Sequence, residues 1–360
     1  MDKIEQVCED ITEYDIEIFF QITSNILNPY QREKILNPTE TYPYAESVLA
    51  VHWHPEQVPM DIIQKRIDRL FPNRKYELII PTQHNIITSY GEYSGVEVDC
   101  YSKGFDQKVQ LLLHFKNEKL DDANVLKEML SKTFKYRSSQ LFDFMRSITK
   151  PIEDRVNKAA KISGANEETI HFIRIYVKKI EKLLERYESV ISSEMLKNRL
   201  LTDFFDNLEN IYGNTLIDLS QDFLNEVKKI VKANFPLKEF YRTSEIIEEA
   251  RSLGAGIIIP HPEQFWPILL ANYNIDGIEV WNPKSQRYTE FLISVINDKN
   301  AKIGISKRNL MVFMGDDTHM GKKVMGEKKD DIREIGVQQG WDIFKVDKKE
   351  VIKEYKSRLN

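Results

Sequence analysis

Thiols are nearly absent. Cys8 and Cys100 are the two cysteines in 360 residues, too few and too far apart in sequence for a disulfide framework or a thiolate metal site. Long apolar runs are missing as well: no stretch reaches the roughly 18 residues of a membrane span. The opening Met1-Asp2-Lys3-Ile4-Glu5-Gln6 has neither the basic nor the apolar region of a secretory signal. A reducing, cytoplasmic setting without a membrane partner is therefore expected. A large excess of one charge is also lacking. With 51 basic and 56 acidic residues the net charge is −5, which gives no global pull toward nucleic acid and leaves only a local basic groove open. No internal repeat or low-complexity tract stands out, and the length suits about two domains or one large α/β barrel.

Seven short runs rich in Val, Ile and Leu are present, near 48–51, 77–80, 96–98, 109–114, 256–259, 277–281 and 310–314. Each ends in Pro, Gly, Asn, His or acidic residues, as buried strands do. Ile62, Ile63, Ile67 and Leu70 recur at helical spacing between the first two, as do Phe291, Leu292, Val295 and Ile296 later on. The alternation predicts an α/β fold with a parallel sheet or barrel. The interval between Val96 and Val109 is too short for a crossover helix and predicts a hairpin. Residues 117–238 are dense in Leu, Lys, Glu and Asn and read as a helical insertion. Within it Ile170, Ile173, Val177, Ile180, Leu184, Tyr187 and Ile191 form one apolar stripe. The expected division is a lead segment over 1–46, an α/β body over 47–116 and 239–325, the insertion, and a C-terminal segment over 326–360 ending in a solvated Lys-rich helix.

Six of the seven histidines sit in or just beyond these runs: His52, His54, His84, His114, His261 and His319. Imidazoles and carboxylates are the ligands of zinc, manganese and iron, so the pattern points to a metal site gathered from the whole chain. His52-Trp53-His54 alone reads equally well as two polar residues at a strand end. Glu97, between Val96 and Val98, is more informative, because a buried carboxylate needs a cation or partners. Pro260-His261-Pro262 and Asp317-Thr318-His319 follow later strands in the same way.

This ordered series resembles the PHP superfamily, named for its polymerase and histidinol phosphatase members. The family pattern runs His-x-His, a later His, Gly-x-Glu, an isolated His, Pro-His-Pro and Asp-x-His, and all six stations occur between about residues 46 and 320. The resemblance implies a distorted barrel of seven strands with metals at the C-terminal strand ends. It implies one metal on His52, His54, Glu97 and Asp317, and a second on Glu97, His114 and His261. A third would rest on His84 and His319. Met60 stands where the family often carries another third-site histidine, leaving that position weak, absent, completed by water or served by Glu56. Gln83 replaces a common acidic residue beside it.

The resemblance further implies a metal-dependent phosphoesterase using two or three divalent ions. In that reading a hydroxide held by metal attacks phosphorus, Asp317 supports the centre, and His319 or His84 helps protonate the leaving oxygen if the third metal is absent. The expected substrate is a nucleotide or another small phosphorylated metabolite. The alternatives are a nuclease acting on DNA or RNA ends, a metal-binding domain with a non-catalytic interaction role, and an amidohydrolase-like enzyme. His171 in the insertion and Asn282 after a strand are candidate substrate contacts. The bland reading of His171 is a helix-surface histidine. Glu279 has the place of a residue supporting a ligand.

Overall fold

The computed structural model of the protein describes residues 7–302, 308–324 and 333–359. Ten strands occur among them: β1 (Ser47–Ala50), β2 (Trp53–His54), β3 (Tyr76–Ile79), β4 (Thr88–Tyr90), β5 (Tyr93–Ser102), β6 (Gln107–Lys116), β7 (Gly256–Ile259), β8 (Gly277–Trp281), β9 (Met311–Met314) and β10 (Thr318–His319). Every one of the seven apolar runs is represented. The short interval after Val96 is the turn of an antiparallel hairpin, with Val96 opposite Leu113 and Val98 opposite Leu111.

The architecture is mixed α/β. Strands β4 to β9 form a six-stranded sheet in chain order, antiparallel from β4 to β7 and parallel from β7 to β9. Strand β1 pairs parallel with β3, and β2 with β10. Among the described residues these ladders do not close into the expected seven-stranded barrel. Short joins link the pieces instead: a His84–Glu97 bridge carries the chain after β3 onto β5, and beyond β9 Asp317 N–H donates to His52 C=O at 2.9 Å where the β2–β10 pairing begins.

Period-two alternation explains how one strand serves two cores. In and just after β1, Leu49 and Val51 join the core of the six-stranded sheet, whereas Val48 and Ala50 join a second core with Trp53. The helix Met60–Leu70 covers that second core with Ile62, Ile63, Ile67 and Leu70, all buried. Each such side chain contributes on the order of 1.5–3 kcal/mol.

The chain divides into two compact units, Met1–Ile26 with Lys135–Pro236, and Leu27–Phe134 with Leu237–Asn360. The first is helical. The apolar stripe predicted there lies on the helix Glu167–Tyr187 as far as Tyr187, with Ile173, Val177, Ile180 and Leu184 buried, and Ile191 falls beyond the helix end. This division differs from the sequence-based one at two places. The helix Glu13–Thr23 buries Ile18 and Phe19 in the helical core, so the lead segment is split. The helix Asn124–Thr149 gives Leu126, Met129 and Leu130 to the sheet core and Leu141, Phe144 and Met145 to the helical one.

The terminal helix Lys348–Arg358 also departs from expectation. It is not simply solvated: Ile352 and Tyr355 are buried in the sheet core. Gly256 makes room for it, since a Cβ there would lie 2.3 Å from the Tyr355 hydroxyl. No described helix is long and apolar enough to cross a membrane.

Candidate metal centre

Backbone connections deliver the ligands to one place. Because β2 alternates sides, Trp53 enters the second core and His52 and His54 face the other way, with ring centroids 5.5 Å apart. Asn85 N–H donates to Glu97 C=O at 2.7 Å, and Glu97 N–H donates to Gln83 C=O at 3.1 Å, which sets His84 beside Glu97. The Asn85 side chain pins the same loop to Asp99 through two bonds of 2.9 Å. Four non-glycine residues here hold positive φ, namely Glu56 (51°), Asn85 (56°), His261 (27°) and Asp317 (47°). Such backbone conformations cost free energy and persist where tertiary contacts impose them.

Three groups of potential ligands result among the described residues: His52, His54 and Asp317; His52, Glu97 and His261; and His54, His84 and His319. Asp317 Oδ1 lies 3.6 Å from His52 Nε2, 3.4 Å from His54 Nε2 and 3.4 Å from His319 Nε2. Glu97 Oε1 lies 3.2 Å from His261 Nε2 and 3.9 Å from His52 Nε2, while its Oε2 contacts His84 Nδ1 and stands 3.9 Å from His54 Nε2. The His54 ring stacks between His84 and His319, at 4.4 and 4.3 Å.

These separations fit a cation. Ligands bound tetrahedrally at 2.0–2.1 Å are ~3.3 Å apart, close to most of the distances observed. The Nε2 atoms of His52 and His54 are buried and make no hydrogen bond, which is costly for polar atoms left without a partner. A mixed imidazole and carboxylate donor set suits zinc, manganese or iron.

Charges within the cluster are complementary. Burial pushes the Glu97 carboxyl upward, but the imidazoles of His84, His261 and His54 outweigh it and hold the group well below its usual range. Asp317 is treated alike: His319, His54 and His52 overcome its burial. Burial, with His319 and His84 nearby, keeps His54 neutral far below the ordinary histidine value. His52 is also opposed by burial, yet Glu279, with Asp317 and Glu97, pushes it up to about 10.

Three residues outside these groups grip them from behind. Glu279 Oε2 stands 2.5 Å from His52 Nδ1, Glu56 Oε1 3.3 Å from His319 Nδ1, and Arg333 Nη1 2.5 Å from Asp317 Oδ2. Carboxylates behind metal-binding imidazoles fix the tautomer and ring orientation. The supporting place expected for Glu279 thus has a definite contact. Arg333 had no sequence signal, since it follows no recognisable motif.

His114 departs from the expected ligand set. Its Nε2 faces the Val51 carbonyl at 3.0 Å and must donate there, so its Nδ1 accepts from the Tyr355 hydroxyl at 2.7 Å. Neither nitrogen keeps a lone pair directed at the cluster. Asn282 is likewise engaged inside the protein. Its Oδ1 accepts from Lys284 and Ser285 N–H, and its Nδ2 donates to Glu279 at 3.2 Å and Glu263 at 3.4 Å. His171 is an exposed residue of the helix Glu167–Tyr187.

Exposure divides the remaining set. His84, Asp317 and His319, the three residues with an expected catalytic part, have side chains 19, 16 and 16% exposed, whereas those of His52, His54, Glu97 and His261 are 6% or less. The cluster is thus sealed on one side and reachable on the other.

No family model matches the chain, and no curated protein gives a significant match. Among solved structures it is similar to a "putative metal-dependent phosphoesterase" from Bifidobacterium adolescentis, with 14% identity, 82% of this chain and 92% of the other covered, and a TM-score of 0.41.

Proposed function

We propose that the protein is a PHP-type metal-dependent phosphoesterase, a phosphomonoesterase acting on a nucleotide or another small phosphorylated metabolite. The observation that carries this reading is the two-sided cluster: buried His52, His54, Glu97 and His261 behind reachable His84, Asp317 and His319. The PHP-type order of motifs supports it, and the short β1–β3 and β2–β10 pairings, joined to the six-stranded sheet by the His84–Glu97 bridge, support a distorted barrel.

Divalent cations, when bound, supply Lewis-acid activation of water and of the phosphoryl oxygens. The residues of the chain do the rest. His52, His54, Asp317 and Glu97 would hold one ion, Glu97 and His261 would contribute to a second, and His54, His84 and His319 would offer a third place. Glu279 turns His52 so that its Nε2 faces inward. With the third place unfilled, His84 and His319, on the open side, are placed to pass a proton to the leaving oxygen. The buried imidazoles exclude water from the rear of the site, which strengthens the electrostatic interactions within it.

Metal analysis of the purified chain, followed by assay of nucleotides, sugar phosphates and short oligonucleotides with manganese and zinc, tests the proposal. Bound metal and phosphate release from a monoester are expected, with both Asp317→Ala and His261→Ala inactive. Full metal-dependent activity in those two variants would overturn the site assignment. Release of mononucleotides from oligonucleotides alone would replace the monoesterase with a nuclease.

A further inference from the structure

We infer that Glu56 is a positioning residue for His319 and not itself a ligand, an inference that rests on the metal-centre reading above. Glu56 Oε1 contacts His319 at Nδ1, whereas Asp317 Oδ1 lies 3.4 Å from Nε2. The two nitrogens point to opposite sides of the ring, so Glu56 grips the side turned away from Asp317. The group His54, His84 and His319 forms without it. Met60, at the position where a further imidazole would be expected, instead begins the helix Met60–Leu70 and packs on the second core.

The local backbone is built around this contact. Glu56 takes φ 51°, a conformation unfavourable for a residue with a side chain, and its side chain is 11% exposed. Gly321, two residues beyond His319, closes the other side. A Cβ there would lie 2.0 Å from Glu56 Oε2 and 2.4 Å from Gln57 Oε1, and Gln57 Nε2 donates to Gly321 C=O at 3.5 Å. The Pro55-Glu56-Gln57 turn and the chain after His319 therefore interlock. Glu56 stands to His319 as Glu279 stands to His52. A carboxylate in that place directs the opposite nitrogen inward and makes it more basic toward a cation.

Zinc titration of the metal-stripped full-length chain, read by calorimetry, separates the possibilities, with direct NMR observation of the His319 Nδ1–H proton in the zinc-loaded form. Glu56→Ala is expected to bind its weakest zinc equivalent about 10- to 100-fold less tightly and to lose the proton signal. Glu56→Gln, whose amide oxygen still accepts the hydrogen bond, should retain the signal and much of the affinity. Gly321→Ala keeps the carboxylate but displaces it, and should behave like Glu56→Ala. It also decides the matter if Glu56→Ala does not fold.

Unchanged affinity in Glu56→Ala and Gly321→Ala would overturn the inference. So would loss of a whole zinc equivalent in Glu56→Gln, which marks a direct ligand. Turnover is not measured in this experiment. A chain inactive on every phosphate ester would thus sink the proposed function and leave the role of Glu56 intact.

Discussion

His52 and Glu279 are 227 positions apart in sequence, yet Nδ1 of one lies 2.5 Å from Oε2 of the other. The contact leaves His52 Nε2 facing Asp317 Oδ1 at 3.6 Å and Glu97 Oε1 at 3.9 Å. Asn282 Nδ2 and, more distantly, His261 N–H donate to the second oxygen of Glu279. One carboxylate thereby orders two histidines of the cluster. Glu279→Ala should weaken metal binding about 10- to 100-fold. Metal titration of the variant against the unsubstituted chain measures this, and equal affinity would remove Glu279 from the design.

Gly315 offers a test that alters no polar group. A Cβ at this position would fall 2.0 Å from Glu279 Oε2, and the Gly315 N–H is itself held by the Trp281 carbonyl at 2.8 Å. Because neither side can easily retreat, Gly315→Ala should cost about 1–3 kcal/mol of stability and weaken metal binding in the same direction as Glu279→Ala. Thermal melting and metal content check the two effects separately. A stable variant with full metal content would mean that Glu279 can move without consequence.

His114 predicts a pH dependence. Burial, against the Val51 carbonyl and with His52 nearby, lowers its pKa to about 3 from an ordinary 6.5. In the unfolded chain the ring protonates near 6.5, so below that pH the unfolded state binds more protons. The contribution to stability is complete above pH 6.5 and is lost progressively as the pH falls toward 3, amounting to a few kcal/mol at ~1.4 kcal/mol per pKa unit. Urea unfolding of the unsubstituted chain and of His114→Gln across this range should give a shallower slope for the variant. Parallel slopes would contradict a neutral buried imidazole.

A separate prediction concerns the helical unit. Lys179 Nζ lies 2.9 Å from Asp15 Oδ2, both side chains 2% exposed, and the same carboxylate caps the helix Glu13–Thr23 by accepting from Thr12 N–H at 2.8 Å. Removing one member of such a pair strands the other charge. Lys179→Met should cost about 3–5 kcal/mol, while Lys179→Met combined with Asp15→Asn should recover part of that loss. Chemical denaturation of both single variants and the double variant completes the cycle, and purely additive effects would show that the two charges are not coupled.

Much of the fold was legible because its signals are local. The run Val48 to Val51 and the helix Met60–Leu70 follow from residue type and spacing, and the antiparallel hairpin of β5 and β6 follows from a short interval. The barrel was harder to read. Closure depends on which strands meet, and the parallel pairing of β2 with β10, which begins at the Asp317–His52 hydrogen bond, stands apart from the six-stranded sheet. The terminal helix was misjudged for a related reason: its lysines are visible in the sequence, but the space that Gly256 opens for Tyr355 is not.

By itself the sequence determined which donors are available and in what order they come: the His-x-His pair, Glu97 between valines, Pro-His-Pro and Asp-x-His, each near the end of an apolar run. Tertiary structure alone decided which nitrogen of each ring faces inward. His114 leaves the expected set because Tyr355, 241 positions away, occupies one nitrogen and Val51 the other. Glu279 and Glu56 gain their parts because folding sets them behind His52 and His319. The physical reason is that a histidine has two distinct nitrogens, and its hydrogen-bond partner selects the one left for the site. In this chain those partners come from distant segments, so motif order names the histidines and only their packing assigns their roles.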